Sequence, residues 1–175
     1  SDSTTPKNSR KIITVFDMTH EAYPNYFKDS IKLSKYKKIT CKQAHKIICI
    51  SNSTKKDLIK YFGVDEKKIN VIYLGVDSSI FNTSKKKNQM LLLPEKFILY
   101  VGNRNGYKNF KLLLKMFKKN KVIRDEFKLV VFGGEKISLT EKKEINNANL
   151  ENNLIFLNGD DYFLSYLYNN ATVLV

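Results

Sequence analysis

The ten residues from Tyr100 to Asn109, YVGNRNGYKN, hold the side chains best suited to chemistry in this chain. Gly102 and Gly106 let a ligand approach the backbone, because no Cβ stands in the way. Arg104 offers a planar fork of N–H donors that matches phosphate oxygens, and Lys108 adds a compact point charge. A helical pattern begins just beyond, so the free N–H groups of its first turn face the same loop. Together these features describe a diphosphate site at the carboxyl end of a buried strand, where open α/β sheets bind ligands. An ordinary strand-to-helix loop with solvated basic residues has the same composition. No GxxxxGK[ST] is present, so the stretch is not a Walker A loop.

The elements that must position this loop follow from the apolar periodicity. Strands are expected at 11–16, 46–50, 69–74, 97–101, 128–132, 154–157 and from 172 to the end, each a short β-branched or aliphatic run. Helical spacing is expected over 29–45, with Ile31, Leu33, Tyr36, Ile39 and Ala44 as its apolar residues, and over the stretch from Ser51 to Phe62, which Gly63 stops. Further helices are expected over 109–119, with Phe110, Leu113, Leu114 and Phe117 on one face, and over 139–149 and 160–168. Strands separated by helices imply parallel sheets with right-handed crossovers. Two such runs flank the polar, basic stretch around 82–96, which reads as a linker, with a solvated loop inside one domain as the alternative. The fold class is therefore α/β, with parts of two Rossmann-like parallel-sheet domains: 1–81, then the linker, then 97–175. The last strand is cut short, which points to a fragment.

Charge and cysteine usage narrow the function classes. The net charge is +14, almost all from lysine, since Arg10, Arg104 and Arg124 are the only arginines. Lysines spread over solvated faces account for most of it. A basic face toward an anionic membrane or a phosphorylated substrate is the functional alternative. Nucleic acid is disfavoured, because no zinc-finger spacing or RNP-type aromatic motif is present. Cys41 and Cys49 fit neither a CxxC redox site nor a zinc site and read as buried, unpaired thiols. No metal site is expected. No apolar run reaches the roughly 18 residues of a spanning helix, and the polar start lacks the apolar centre of a signal peptide. The expected compartment is the cytoplasm, with peripheral contact at the inner face of the membrane.

Four blocks in order carry a family resemblance. YVGNRNGYKNFKLLLKMF (Tyr100 to Phe117) resembles the segment that opens the donor-binding domain of family 4 glycosyltransferases, which have the GT-B fold. LVVFGGE (Leu129 to Glu135) resembles the second donor-domain strand with its glycine pair, and the stretch from Leu154 to Val175 the next helix and strand. IICISNSTKKDLIKYFGVDEKKINVIYLGVDSSIF (Ile47 to Phe81) resembles the end of the acceptor domain. VFDMTHEAYP (Val15 to Pro24) is similar to a V-x-D-M-x-H-E-x-F-P form seen in some members.

The resemblance implies a retaining, metal-free transfer of a hexose, mannose favoured, from a GDP- or UDP-linked donor to a saccharide or lipid-linked acceptor. It makes Arg104 and Lys108 the donor diphosphate ligands and Gly102, Gly133 and Gly134 the donor-site backbone. His20 becomes a catalytic candidate, and Glu21 stands on the acceptor side. Beyond the donor nucleotide sugar no cofactor is implied. Two departures stand out. Phe16 occupies the position where many members carry a histidine, so His20 is the candidate to replace it. The family's E-x7-E motif follows the strand on which this chain ends, so the fragment alone is expected to be inactive. A GT-B-fold epimerase or phosphorylase, or a non-catalytic basic binding module, are the alternative readings.

Overall fold

A computed structural model describes residues 9–83, 93–104 and 106–175. Most of the expected linker, 84–92, lies outside the described residues. The chain divides into two compact units between Gly75 and Val76.

The first unit is a three-stranded parallel sheet in the order β1-β2-β3, formed by Ile12–Val15, Lys46–Cys49 and Ile69–Val71. The loop after β1 contains α1 (Thr19–Ala22) and a 3-10 turn at Pro24–Tyr26. Helix α2 (Ser30–Gln43) returns the chain to β2, and α3 (Asn52–Phe62) leads to β3. The start of α3 is fixed by Ser51, whose hydroxyl accepts the Thr54 amide at 3.0 Å. Such a cap contributes about 1 kcal/mol. Gly63 ends the helix at φ 64, a left-handed conformation that a Cβ disfavours. The core comprises Val15, Met18, Cys41, Ile47, Cys49, Leu58 and Phe62. Both cysteines are free and buried, and burial pushes the Cys41 thiol up to about 11.

Helix α2 forms as expected but buries the opposite side. Ile31 (84% exposed), Tyr36 and Ile39 face out, whereas Ser30 and Cys41 face in. On the other side of the helix the Lys37 ammonium donates to Glu21 Oε2 at 2.9 Å, and the Glu21 side chain is 3% exposed. Strand β3 also ends at Val71, short of the expected 74. Ile72 still donates its amide to the Cys49 carbonyl, but Ile72, Tyr73 and Leu74 are exposed.

The second unit is a four-stranded parallel sheet in the order β6-β5-β4-β7. The strands are β4 (Phe97–Val101), β5 (Lys128–Phe132), β6 (Leu154–Leu157) and β7 (Val173–Leu174). Alternate residues of β4 and β5 enter two cores. Ile98, Tyr100, Leu129 and Val131 pack with Phe110, Leu114 and Phe117 of α4 (Phe110–Lys119). Phe97, Leu99, Val130 and Phe132 pack with Leu167 of α7 (Asp161–Asn170). Burial on both faces explains why these strands are unbroken apolar runs. Helix α5 (Lys121–Glu126) was not expected; at six residues it is too short for a periodic signal, and Asn120 starts it by accepting the Ile123 amide. Helix α6 (Leu139–Asn147) completes the unit.

Candidate functional site

The strand order places the site. The chain runs outward from β4 to β5 and β6, then returns to pair β7 on the other side of β4. The direction of winding reverses at β4, and in open α/β sheets the crevice at such a reversal binds the ligand. The loop leaving β4 begins at Gly102, whose amide donates to the Phe132 carbonyl at 2.9 Å.

Three glycines meet there. Gly102, Gly133 and Gly134 have φ of 117, 80 and 80, all in a region that L side chains rarely adopt. A Cβ on Gly134 would lie 3.1 Å from the Gly102 carbonyl oxygen and 2.9 Å from Arg104 Nη1. A Cβ on Gly102 would lie 2.6 Å from Lys108 Nζ, so the exposed Lys108 side chain lies over bare Gly102 backbone. Lys108 closes a 3-10 turn (Gly106–Lys108), and Asn109 follows at φ 54 without capping α4 through its side chain. The first turn of α4 therefore keeps its partial positive charge beside Lys108, an arrangement suited to an anion.

Arg104 stands differently from the sequence expectation of an open fork. Its side chain is 4% exposed. Nε donates to Glu141 Oε1 at 2.8 Å, Nη1 to the Gly133 carbonyl at 3.3 Å and Nη2 to the Glu135 carbonyl at 2.6 Å. The guanidinium also lies 5.5 Å from the centre of the Phe156 ring. Three of its donors thus tie the β4 loop to the β5 loop and to α6. Tyr100 adds a further tie, donating its hydroxyl to the Asn103 carbonyl at 2.7 Å. Beside Arg104 opens a cavity of about 310 Å³ at the ends of β5 and β6, lined among others by Gly133, Lys136, Lys142, Phe156 and Asn158. Among the described residues no group of histidine, cysteine and carboxylate side chains is arranged to hold a metal.

Glu141 escaped the sequence reading, although its signal was present. Ser138-Leu-Thr-Glu141 is a capping box: the Ser138 hydroxyl accepts the Glu141 amide, and Glu141 Oε2 accepts the Ser138 amide at 2.9 Å. Burial pushes the Glu141 carboxyl up, but hydrogen bonds from Arg104 and Ser138 outweigh it and hold the group below its ordinary 4.5. A depressed carboxylate stabilises the fold fully above its unfolded value, and that stability is lost as pH falls through the folded value. Urea unfolding of the chain should therefore lose stability below about pH 4.5. Glu141→Gln should be less stable at pH 7 and should flatten that part of the profile. Parallel profiles for the two proteins would show that Glu141 does not carry it.

The first unit holds His20 and Glu21 together on α1. The His20 ring packs 4.2 Å from that of Phe27, and Glu21 pairs with Lys37. Phe16 is exposed, and its carbonyl accepts from the Thr54 hydroxyl.

Known proteins agree with this architecture. The model of the family "Glycosyl transferases group 1" matches residues 82–175, and that of "Glycosyltransferase Family 4" matches residues 7–80. The O-antigen chain mannosyltransferase RfbU of Salmonella typhimurium is 27% identical over 174 residues, covering 98% of this chain and 46% of that protein. An N-acetylgalactosaminyltransferase of Campylobacter jejuni that acts on a diphospho-undecaprenol-linked saccharide is 27% identical over 125 residues, 71% of this chain and 33% of its own. The chain thus spans half or less of the length of these curated relatives. Among solved structures, Staphylococcus aureus TarM superposes with a TM-score of 0.69 at 20% identity, covering 95% of this chain and 32% of TarM. The lipopolysaccharide glycosyltransferase WaaG does so at 0.64 and 14%, covering 95% and 53%. With a matched model over more than half its length and two parallel α/β units of the GT-B kind, the chain belongs to the group 1, family 4 glycosyltransferases.

Proposed function

We propose that the protein transfers a hexose, with retention, from a nucleoside diphosphate sugar to a saccharide or lipid-linked acceptor. The observation that carries this reading is the convergence of Gly102, Lys108, Gly133, Gly134 and the uncapped start of α4 at the winding reversal of the second sheet. In such a transfer the bond from the sugar C1 to the diphosphate oxygen breaks, the acceptor hydroxyl oxygen bonds C1, and its proton passes to the released diphosphate. The diphosphate gains negative charge as the sugar takes on oxocarbenium character. Lys108 and the helix N-terminus supply the positive field for that charge, with no cofactor or metal in the reading. Arg104 shapes the loop that presents them. Its remaining N–H groups are the ones left to reach the diphosphate.

The Val76–Val175 unit is, on this reading, the donor side and the Ser1–Gly75 unit the acceptor side, with His20 its catalytic candidate. Mannose is the favoured hexose, supported by the family resemblance of the 15–24 loop and by the name of the Salmonella relative. Cytoplasmic work against an anionic membrane fits α2, which carries five lysines and no acidic residue. Among the described residues no helix is long and apolar enough to cross a bilayer.

Calorimetric titration of GDP, UDP and ADP into this chain tests the donor site. Saturable binding of one nucleotide, weakened at least tenfold by Lys108→Ala, is the expected result. Lys108 is the informative variant because its side chain is exposed, whereas Arg104 holds the loop together. A full-length protein that binds none of the three would reject the reading.

A further inference from the structure

Helix α2 carries its apolar residues on the wrong side for a helix that only covers a sheet. Its inner side meets the rest of the unit through Ser30, Cys41 and the Lys37–Glu21 pair. At about 100° per residue, Ile31, Lys35, Ile39 and Lys42 fall along one outward strip, and Lys32, Tyr36 and Gln43 along the next. All seven are exposed, Ile31 at 84% and Tyr36 at 57%. Ile31, Lys32, Lys35 and Tyr36 also line one surface depression together with Lys28 and Asp29, so apolar and basic side chains form a continuous patch. Asp29 is the only acidic residue that lines it. Glu21, the other carboxylate of the 19–43 stretch, is buried and paired with Lys37.

We propose that this face of α2 lies on an anionic lipid bilayer, with Ile31, Tyr36 and Ile39 entering the headgroup layer and Lys28, Lys32, Lys35 and Lys42 beside the lipid phosphates. The mixed composition selects the partner. A polyanion in water would meet the lysines but leave Ile31 and Ile39 hydrated. An apolar protein groove would strip water from the ammonium groups and give them no partner. A bilayer interface offers both chemistries within the reach of one helix: phosphates at its surface and acyl chains below them. Lysine stems run along apolar material while their ammonium groups turn back to the phosphates. Each lysine held near such a surface strengthens binding about fivefold. The inference rests on the reading of a transferase that works against an anionic membrane, and deepens it by assigning the contact to one helix face.

Co-sedimentation of the 175-residue chain with vesicles provides the test. Vesicles of equimolar phosphatidylglycerol and phosphatidylcholine should bind it at least tenfold more tightly than phosphatidylcholine alone. The triple substitution Lys32→Gln, Lys35→Gln, Lys42→Gln should weaken that binding at least tenfold, and so should the double substitution Ile31→Ser, Ile39→Ser. Both sets change exposed residues and leave the fold in place. Lys118→Gln, Lys119→Gln, Lys121→Gln removes the same charge from exposed positions of the other unit and should change binding less than twofold. The chain has no tryptophan, so Ile31→Trp adds a single reporter whose emission should move to shorter wavelength on the mixed vesicles. Equal weakening by the two lysine sets would mean attraction by net charge and would overturn the proposal. So would full binding by the Ile31, Ile39 variant with an unshifted tryptophan, which would mark adsorption without insertion. Equally tight binding of double-stranded DNA, again lost with the α2 lysines, would mark a polyanion surface and overturn it too. Vesicle binding that no α2 variant alters would refute this face and keep the membrane reading, whereas no vesicle binding at all would remove both. None of these readouts involves a nucleotide, so the donor-site titration is a separate result.

Discussion

Arg104→Ala is expected to destabilise the Val76–Val175 unit by about 3–5 kcal/mol, the range for removing one partner of a buried ion pair. The size follows from what is left behind. Glu141 keeps a charge that is 18% exposed and loses its strongest partner. The Gly133 and Glu135 carbonyls lose their donors in the same step, and the Phe156 ring loses its cation. Arg104→Lys should recover only a small part, because one ammonium cannot reproduce three divergent N–H directions. The urea midpoint of the chain reads the effect directly. A loss below about 1 kcal/mol, in the range of an exposed pair, would mean that Arg104 does not clamp the two loops.

Lys108→Ala should do the reverse. Lys108 is exposed, so its removal should change stability by no more than about 0.5 kcal/mol. In the full-length protein, however, turnover should fall about 10²- to 10³-fold, the usual effect of deleting a group aimed at charge that develops in the transition state. The decrease should appear in kcat more than in KM, because the leaving group gains its extra charge during bond breaking. A rise in KM with kcat intact would reassign Lys108 to ground-state binding of the donor. The contrast between the two substitutions separates the residue that builds the loop from the residue that acts in it.

The sequence alone singles out the loop as a candidate but not how its side chains divide between the fold and solvent. FILYV and KLVVF were legible as strands because both faces are buried, so no polar residue interrupts them. The glycine positions were legible because only glycine tolerates such φ values beside crowded backbone. The direction of the Arg104 guanidinium was not legible. It depends on Glu141, 37 residues later, and on two carbonyls of another loop. The same limit explains α2. Its apolar residues have helical spacing, yet Ile31 and Tyr36 face solvent, while Lys37 of the same helix pairs with Glu21 from another element. Local pattern predicts that a helix forms; contacts with other elements, which the pattern does not record, fix which way it faces. His20 and Glu21 are legible as candidates in the 15–24 motif, but the depression beside them is lined from three helices and has no linear signature.

One carboxylate, Glu141, serves two structures at once: Oε2 closes the cap of α6, and Oε1 holds Arg104. The helix and the loop therefore share a single free energy. Whatever orders the loop also suppresses fraying of the first turn of α6, and whatever frays that turn slackens the loop. By the reciprocity of linked equilibria, a molecule that settles on the glycine loop stabilises the cap by the same amount that an intact cap tightens its hold on that molecule. The glycine loop thus has a built-in reporter at the start of α6, where slowed amide exchange would record its occupancy.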